Sequence, residues 1–113
     1  MPASKWRLMA AGSKLLGLLL CAWLPLSAAQ AADVAAGKAK SMQCAVCHGP
    51  QGIAISPDAP NLAGQNPIYL VKALNDFKSG ARKDETMSLM AASLSDADIE
   101  NLAAFYASLG NKP

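Results

Sequence analysis

The sequence predicts an all-helical domain with long loops. Three segments carry helix caps and apolar residues at helical spacing, no segment alternates polar and apolar residues as a strand does, and the connections are rich in glycine and proline. All three segments lie after residue 32. The first 31 residues have a different character and are treated separately below.

The first helix is predicted from Asp33 through "DVAAGKAKSMQCAVC", with Asp33 as its N-cap. Val34, Lys38 and Met42 fall on adjacent turns of it. Gly37 sits in its interior, where glycine costs about 1 kcal/mol relative to alanine. Such a glycine is either a tolerated weak spot or the place where another helix crosses closely. Residues 49–65, "GPQGIAISPDAPNLAGQ", have no period and form a loop, long enough to be unusual unless it wraps something. The second helix follows in "NPIYLVKALNDFKSG". Asn66 caps it, Pro67 suits the first helical position, Gly80 ends it, and Tyr69, Leu70, Leu74 and Phe77 form its apolar stripe. Residues 81–94, "ARKDETMSLMAASL", are expected to be a second connection carrying two methionines. The last helix opens with Ser95 and Asp98 in an S-x-x-D pattern and ends at Gly110. Asp96 and Asp98 suit the positive end of the helix, and Ile99, Leu102, Phe105, Tyr106 and Leu109 give it a broad apolar face.

The front of the chain reads as a secretory signal peptide over residues 1–31. Lys5, Arg7 and Lys14 precede an apolar run from Leu15 to Leu26, interrupted by Pro25, and Ala29-Gln30-Ala31 supplies the small residues of a cleavage site before Ala32. The run falls short of the roughly 20 apolar residues that a spanning helix needs. Removal of the 31 residues from 113 leaves 82. Three of the ten Lys and Arg residues leave with them, so seven remain against eight acids and the formal charge moves from +2 to −1. Nothing in that balance suggests a nucleic-acid partner. Cys21 also leaves, so Cys44 and Cys47 are the only thiols of the exported domain, and His48 is the only histidine. A domain of this size commonly needs a disulfide, a metal or a buried prosthetic group to supplement its core.

The chemistry lies in "CAVCH", Cys44 to His48. C-x-x-C-H is the attachment pattern of c-type haem. Two thiols three residues apart lie within reach of the porphyrin's two vinyl groups, with which they form thioethers, and the adjoining His48 becomes the proximal iron ligand. A redox disulfide of the thioredoxin kind expects a βαβ context, which is lacking. A zinc site wants four ligands, and the exported chain offers two cysteines and one histidine. For the opposite iron face the thioether candidates are Met42, Met87 and Met90. Met42 stands two residues before Cys44, too close to the attachment turn to reach the far side. Met87 and Met90 both remain, and a Met/His pair would raise the reduction potential as an electron carrier requires.

Taken together, "CAVCHGPQG", "PNLAGQ", "YLVKALNDFKSGAR" and "MSLMAASLSDADIENLAAFYASL" resemble the class I c-type cytochromes. In pattern they are similar to the small bacterial cytochromes of the c-553 kind and to the half-domains of dihaem cytochrome c4. The resemblance spans essentially the whole exported chain. It implies the cytochrome c fold, with about three main helices enclosing one covalently bound haem c. The first and last helices would cross near Gly37 and the Phe105-Tyr106 pair. It implies Met87, seven residues before Leu94, as the second axial ligand, with Met90 as a packing residue. It also implies that the Pro60 carbonyl accepts the hydrogen of the His48 imidazole. One C-x-x-C-H implies one haem.

The function so indicated is electron transfer between redox protein partners in the periplasm, without stable membrane insertion once the leader is removed. No catalytic residues are evident. The alternatives are a haem subunit of a larger oxidoreductase and a haem protein whose sixth ligand is open or displaceable. The turn around Ala45 and Val46 with the Ile53–Ile55 loop is the expected apolar contact surface. Lys72, Lys78, Arg82 and Lys83 either steer an acidic partner or are ordinary solvated surface.

Overall fold

The computed structural model describes residues 30–110. The leader expected over residues 1–31 therefore lies outside the described residues except for its last two positions, and so does Cys21. The described chain holds five helices and no strand. They are α1 (Val34–Lys40), α2 (Ala45–His48), α3 (Pro67–Ser79), α4 (Glu85–Ala92) and α5 (Asp96–Ser108), with a 3-10 turn at Ser41–Gln43.

The caps explain where each helix starts. The Asp33 side chain accepts from the Ala36 N–H, and Asn66 accepts from Ile68 and Tyr69, with Pro67 at the first helical position. Ser95 and Asp98 complete a reciprocal capping box at α5, with Asp96 and Asp98 in its first turn. Gly80 ends α3 in the left-handed conformation at φ 83°.

Two elements differ from the sequence reading. The single first helix is broken into α1, the 3-10 turn and α2. Ser41 Oγ donates back to the Lys38 carbonyl at 2.8 Å, and the Cys44 N–H bonds to the Ser41 carbonyl three residues earlier, so the winding tightens there. The connection expected over residues 81–94 contains α4. Asp84 caps it by accepting from Thr86 and Met87 N–H at 3.0 and 2.8 Å, and its own N–H bonds to Ser88 Oγ. Six of the eight residues behind that cap, Glu85, Met87, Leu89, Met90, Ala91 and Ala92, are good helix formers.

The core is built largely on α5. Ile99, Leu102, Ala103, Phe105 and Tyr106 pack with Leu70 and Leu94, and Cys44, Leu62, Val71, Leu74 and Leu109 lie partly buried against them. Tyr69, expected on the apolar stripe of α3, is 48% exposed, and Val71 faces the core in its place. α1 crosses α5 at Gly37, where a Cβ would meet the Asn101 carbonyl and stand 2.9 Å from Phe105 Cβ. The Asp33 N–H donates to Asn101 Oδ1 at 2.7 Å, and Lys40 pairs with Asp98 at 3.2 Å, so both ends of α1 are tied to α5. This crossing fixes the position of the turn that follows α1.

Candidate haem site

Cys44 ends the 3-10 turn, and α2 carries Cys47 and His48. The Cys47 and His48 N–H groups both return to the Cys44 carbonyl, at 3.3 and 2.9 Å, so the two thiols and the imidazole share one helical turn. Both thiols are free and half-buried. Burial raises the Cys44 thiol above its ordinary range, while contact with Tyr106 and the charge of Lys40 act the other way. Gly49 closes the turn at φ 76°, a conformation open to glycine, and a Cβ there would overlap the Ile53 carbonyl.

The loop after Gly49 folds back on this turn. The Ile55 and Ser56 N–H groups donate to the Cys47 carbonyl at 2.9 and 3.1 Å. The Leu62 and Ala63 N–H groups converge on the Gly52 carbonyl at 2.7 and 3.0 Å, and Asn61 Oδ1 accepts from the Ala54 N–H at 2.7 Å. The Gly64 N–H then donates to the Tyr106 carbonyl, fastening the loop to α5. These bonds bring Pro60 to His48, whose Nδ1 lies 2.8 Å from the Pro60 carbonyl oxygen. A carbonyl can only accept, so Nδ1 carries the hydrogen and the Nε2 lone pair is left for a metal. His48 itself is 7% exposed.

Met87 and Met90 stand three residues apart on α4 and are both half-buried, so they lie side by side on one helix face. Met42 is 76% exposed. Val46, Ile53 and Ile55, at 78, 58 and 67% exposed, form an apolar rim beside the attachment turn. Three of the four cations considered as guides are engaged within the chain. Lys72 pairs with Asp76, Lys78 reaches Asp96 at 3.4 Å, and Arg82 lies 4.6 Å over the Phe77 ring. The residues that escaped the sequence reading are Ser41, Gly49 and Asn61. Asn61 had a visible signal, an amide just past a proline in a glycine-rich loop, where side-chain to backbone bonds are common.

The residues fit a covalent haem on their own chemistry. Two free thiols sit on one turn beside an imidazole whose tautomer presents a lone pair. The Tyr106 hydroxyl, buried beside Cys44, has no hydrogen-bond partner in the protein. Among the described residues no group of three His, Cys, Asp or Glu could hold a bare metal ion.

The family model for cytochrome c matches residues 34–110. Cytochrome c4 of Pseudomonas aeruginosa is 43% identical over 94 residues, a match covering 83% of this chain and 47% of that protein. Cytochrome c-554(548) of Halomonas halodenitrificans is 42% identical over 81 residues, covering 69% of this chain and 98% of that one. The crystal structure of reduced recombinant cytochrome c4 from Pseudomonas stutzeri superposes with a TM-score of 0.65 at 40% identity, over 69% of this chain and 46% of that chain. The chain thus spans about half the length of the cytochrome c4 proteins that it matches. From its helices to its C-x-x-C-H turn, the chain belongs to the cytochrome c family, whose covalent haem c is matched here by Cys44, Cys47 and His48.

Proposed function

We propose that this chain is a one-electron carrier of the periplasm. The observation that carries the reading is the attachment turn, with two thiols just ahead of a histidine whose Nδ1 hydrogen is accepted by the Pro60 carbonyl at 2.8 Å. When bound, the haem supplies an iron that alternates between ferric and ferrous states. The chain supplies everything else. Cys44 and Cys47 would hold the ring covalently, and His48 would offer Nε2 to the iron. Pro60 fixes the imidazole plane and increases the basicity of that nitrogen. Met87 would give the iron its other ligand. Its support is the resemblance, which sets the ligand seven residues before a leucine, and Leu94 is that leucine, buried at 4% exposure. Held by His48 and Met87, the iron would offer no site to a substrate, and the apolar rim of Val46, Ile53 and Ile55 would be the contact through which electrons pass to and from partner proteins. Small, quickly released contacts suit such exchange.

Export is supported by the N-terminal leader. Cleavage before Ala32 would leave intact the Asp33 cap and its bond to Asn101. Among the described residues no helix is long and apolar enough to cross a membrane.

The test is the protein purified from a periplasm competent for haem attachment. Intact mass should report residues 32–113 plus one haem, and the oxidised spectrum should carry a methionine–iron charge-transfer band with no carbon monoxide uptake after reduction. Met87→Ala should abolish that band and admit carbon monoxide, while Met90→Ala keeps it. The reverse pattern would transfer the ligand role to Met90. A colourless protein of unmodified mass would defeat the whole reading.

A further inference from the structure

α5 delivers a buried polar atom that the protein leaves unsatisfied. Tyr106 is 4% exposed, and its hydroxyl is the one buried side-chain nitrogen or oxygen among the described residues without a hydrogen-bond partner. Its position is firmly set. Its carbonyl accepts from Gly64 at 2.9 Å, its ring packs against Phe105 with centroids 5.1 Å apart, and its Cδ1 would stand 3.1 Å from a Cβ at Gly52. Cys44 packs, partly buried, against the cluster that holds Tyr106, and Ser41 lies close by, yet the hydroxyl makes no hydrogen bond with either. Ser41 directs its own hydrogen to the Lys38 carbonyl at 2.8 Å. A buried hydroxyl without a partner is destabilising, and phenylalanine would fill the same space without that burden.

Resting on the reading of Cys44 as a thioether, we propose that Tyr106 is a positioning residue for the prosthetic group: its hydroxyl donates its hydrogen to the Cys44 sulfur and thereby favours the reduced centre. A free thiol both gives and takes a hydrogen, so it does not dictate the direction of such a bond. A thioether sulfur has lone pairs and no hydrogen, so attachment leaves Cys44 as an acceptor alone and makes Tyr106 the donor. Donation would draw electron density from the sulfur and, through the former vinyl carbon that carries it, from the porphyrin. Hydrogen bonds and burial around a haem are recognised levers on its potential. The bond also satisfies the atom that the polypeptide by itself leaves bare.

The experiment compares the haem-loaded wild type with Tyr106→Phe, which removes one oxygen and keeps the ring. Mass and absorption spectrum first verify one haem with native ligation in each. Failure of that step in the wild type would count against the haem reading itself and not against Tyr106. With both loaded, the midpoint potential of Tyr106→Phe should fall, moving the equilibrium with a fixed reference couple about threefold toward the oxidised protein, about 28 mV at 59 mV per tenfold change for one electron. Its thermal midpoint should fall as well. An unchanged potential, or a raised thermal midpoint, would overturn the proposal, because an oxygen that stays unpartnered is better removed. Ser41→Ala should leave the potential in place; a shift as large as that of Tyr106→Phe would reassign the bond to Ser41 and overturn the proposal too. If Tyr106→Phe does not load haem, the wild type decides by NMR. A slowly exchanging Tyr106 hydroxyl proton close to the Cys44 β-protons supports the bond, and the absence of such a proton refutes it.

Discussion

Gly37→Ala offers the sharpest test of how this fold is held together, because two physical effects act on it with opposite sign. In an isolated helix the change would stabilise by about 1 kcal/mol, since glycine loses more backbone freedom than alanine on folding. At the α1–α5 crossing the new Cβ would stand 2.6 Å from the Asn101 carbonyl carbon, nearer still to its oxygen, and 2.9 Å from Phe105 Cβ. Carbon atoms pack at about 3.5–4.0 Å, so the helices must part by roughly 1 Å. Backbone cannot rotate out of the way as a long side chain can, and parting the helices also stretches the Asp33–Asn101 bond and the Lys40–Asp98 pair. Overpacking of this kind costs about 1–3 kcal/mol, and the rigid obstacle puts this case at the upper end. Setting the propensity gain against it leaves a net loss of about 2 kcal/mol. For a domain of this size that lowers the thermal midpoint by roughly 10 °C. Thermal unfolding of the haem-loaded protein by far-UV circular dichroism measures it, with Ala35→Gly on the exposed face of α1 as the propensity control. A Gly37→Ala protein more stable than wild type would show that α1 and α5 do not approach as described.

Three further outcomes follow from the caps and the loop. Asn61→Ala removes the acceptor of the Ala54 N–H and should cost about 1 kcal/mol, with faster amide exchange at Ala54 and its neighbours as the local readout. Ser95→Ala breaks the capping box of α5 and should cost about 1 kcal/mol, seen as a lower urea midpoint. The carboxyl of Asp98 is held below its ordinary 3.8, first by the Ser95 N–H and then by Lys40 and the Ser95 hydroxyl. A depressed folded-state value gives stability that is present above the unfolded value and is lost as the pH falls through the folded one. Wild-type urea midpoints should therefore decline below about pH 3.8, whereas Asp98→Asn should be weaker at neutral pH and show a shallower acid limb.

The parts of the fold legible in the sequence were those specified by local chemistry. Asn66 with Pro67, and Ser95 with Asp98, announce helix starts because the bonds involved reach only two or three residues. Gly37 by itself left a weak spot and a close crossing both open, and only the resemblance pointed to the crossing that the structure shows. α4 was missed because Met87 and Met90 drew attention as ligands in a loop, while Asp84 and the helix formers behind it were read as connection. The break at Ser41 depends on a hydroxyl turning back to Lys38, a choice that serine makes in some contexts and not in others. Within the site, the attachment turn is written in consecutive letters. The folding of the loop onto it is not, because the bonds from Gly52, Asn61 and Gly64 link residues that share no period.

The distribution of burial gives the physical reason why this chain and its prosthetic group belong together. Among the described residues five of the eight buried apolar side chains come from α5, the others being Leu70, Ala91 and Leu94, and only Ile99 and Leu102 among the large ones are below 2% exposure. Val46, Ile53, Ile55, Met42 and Leu89 remain largely exposed. That is a thin core for a domain whose size already leaves little net stability. Yet the backbone around the C-x-x-C-H turn is fully organised, with the loop bonded to Cys47, His48 oriented by Pro60, and Gly64 fastened to α5. A polypeptide that spends this much order on a turn bearing two thiols and one imidazole gains stability when those side chains hold a large apolar ring. The order is useful afterwards as well. An iron whose ligands are already fixed by the fold would need little rearrangement on gaining or losing an electron, so under the proposed function the contacts that stabilise this domain would also speed electron transfer.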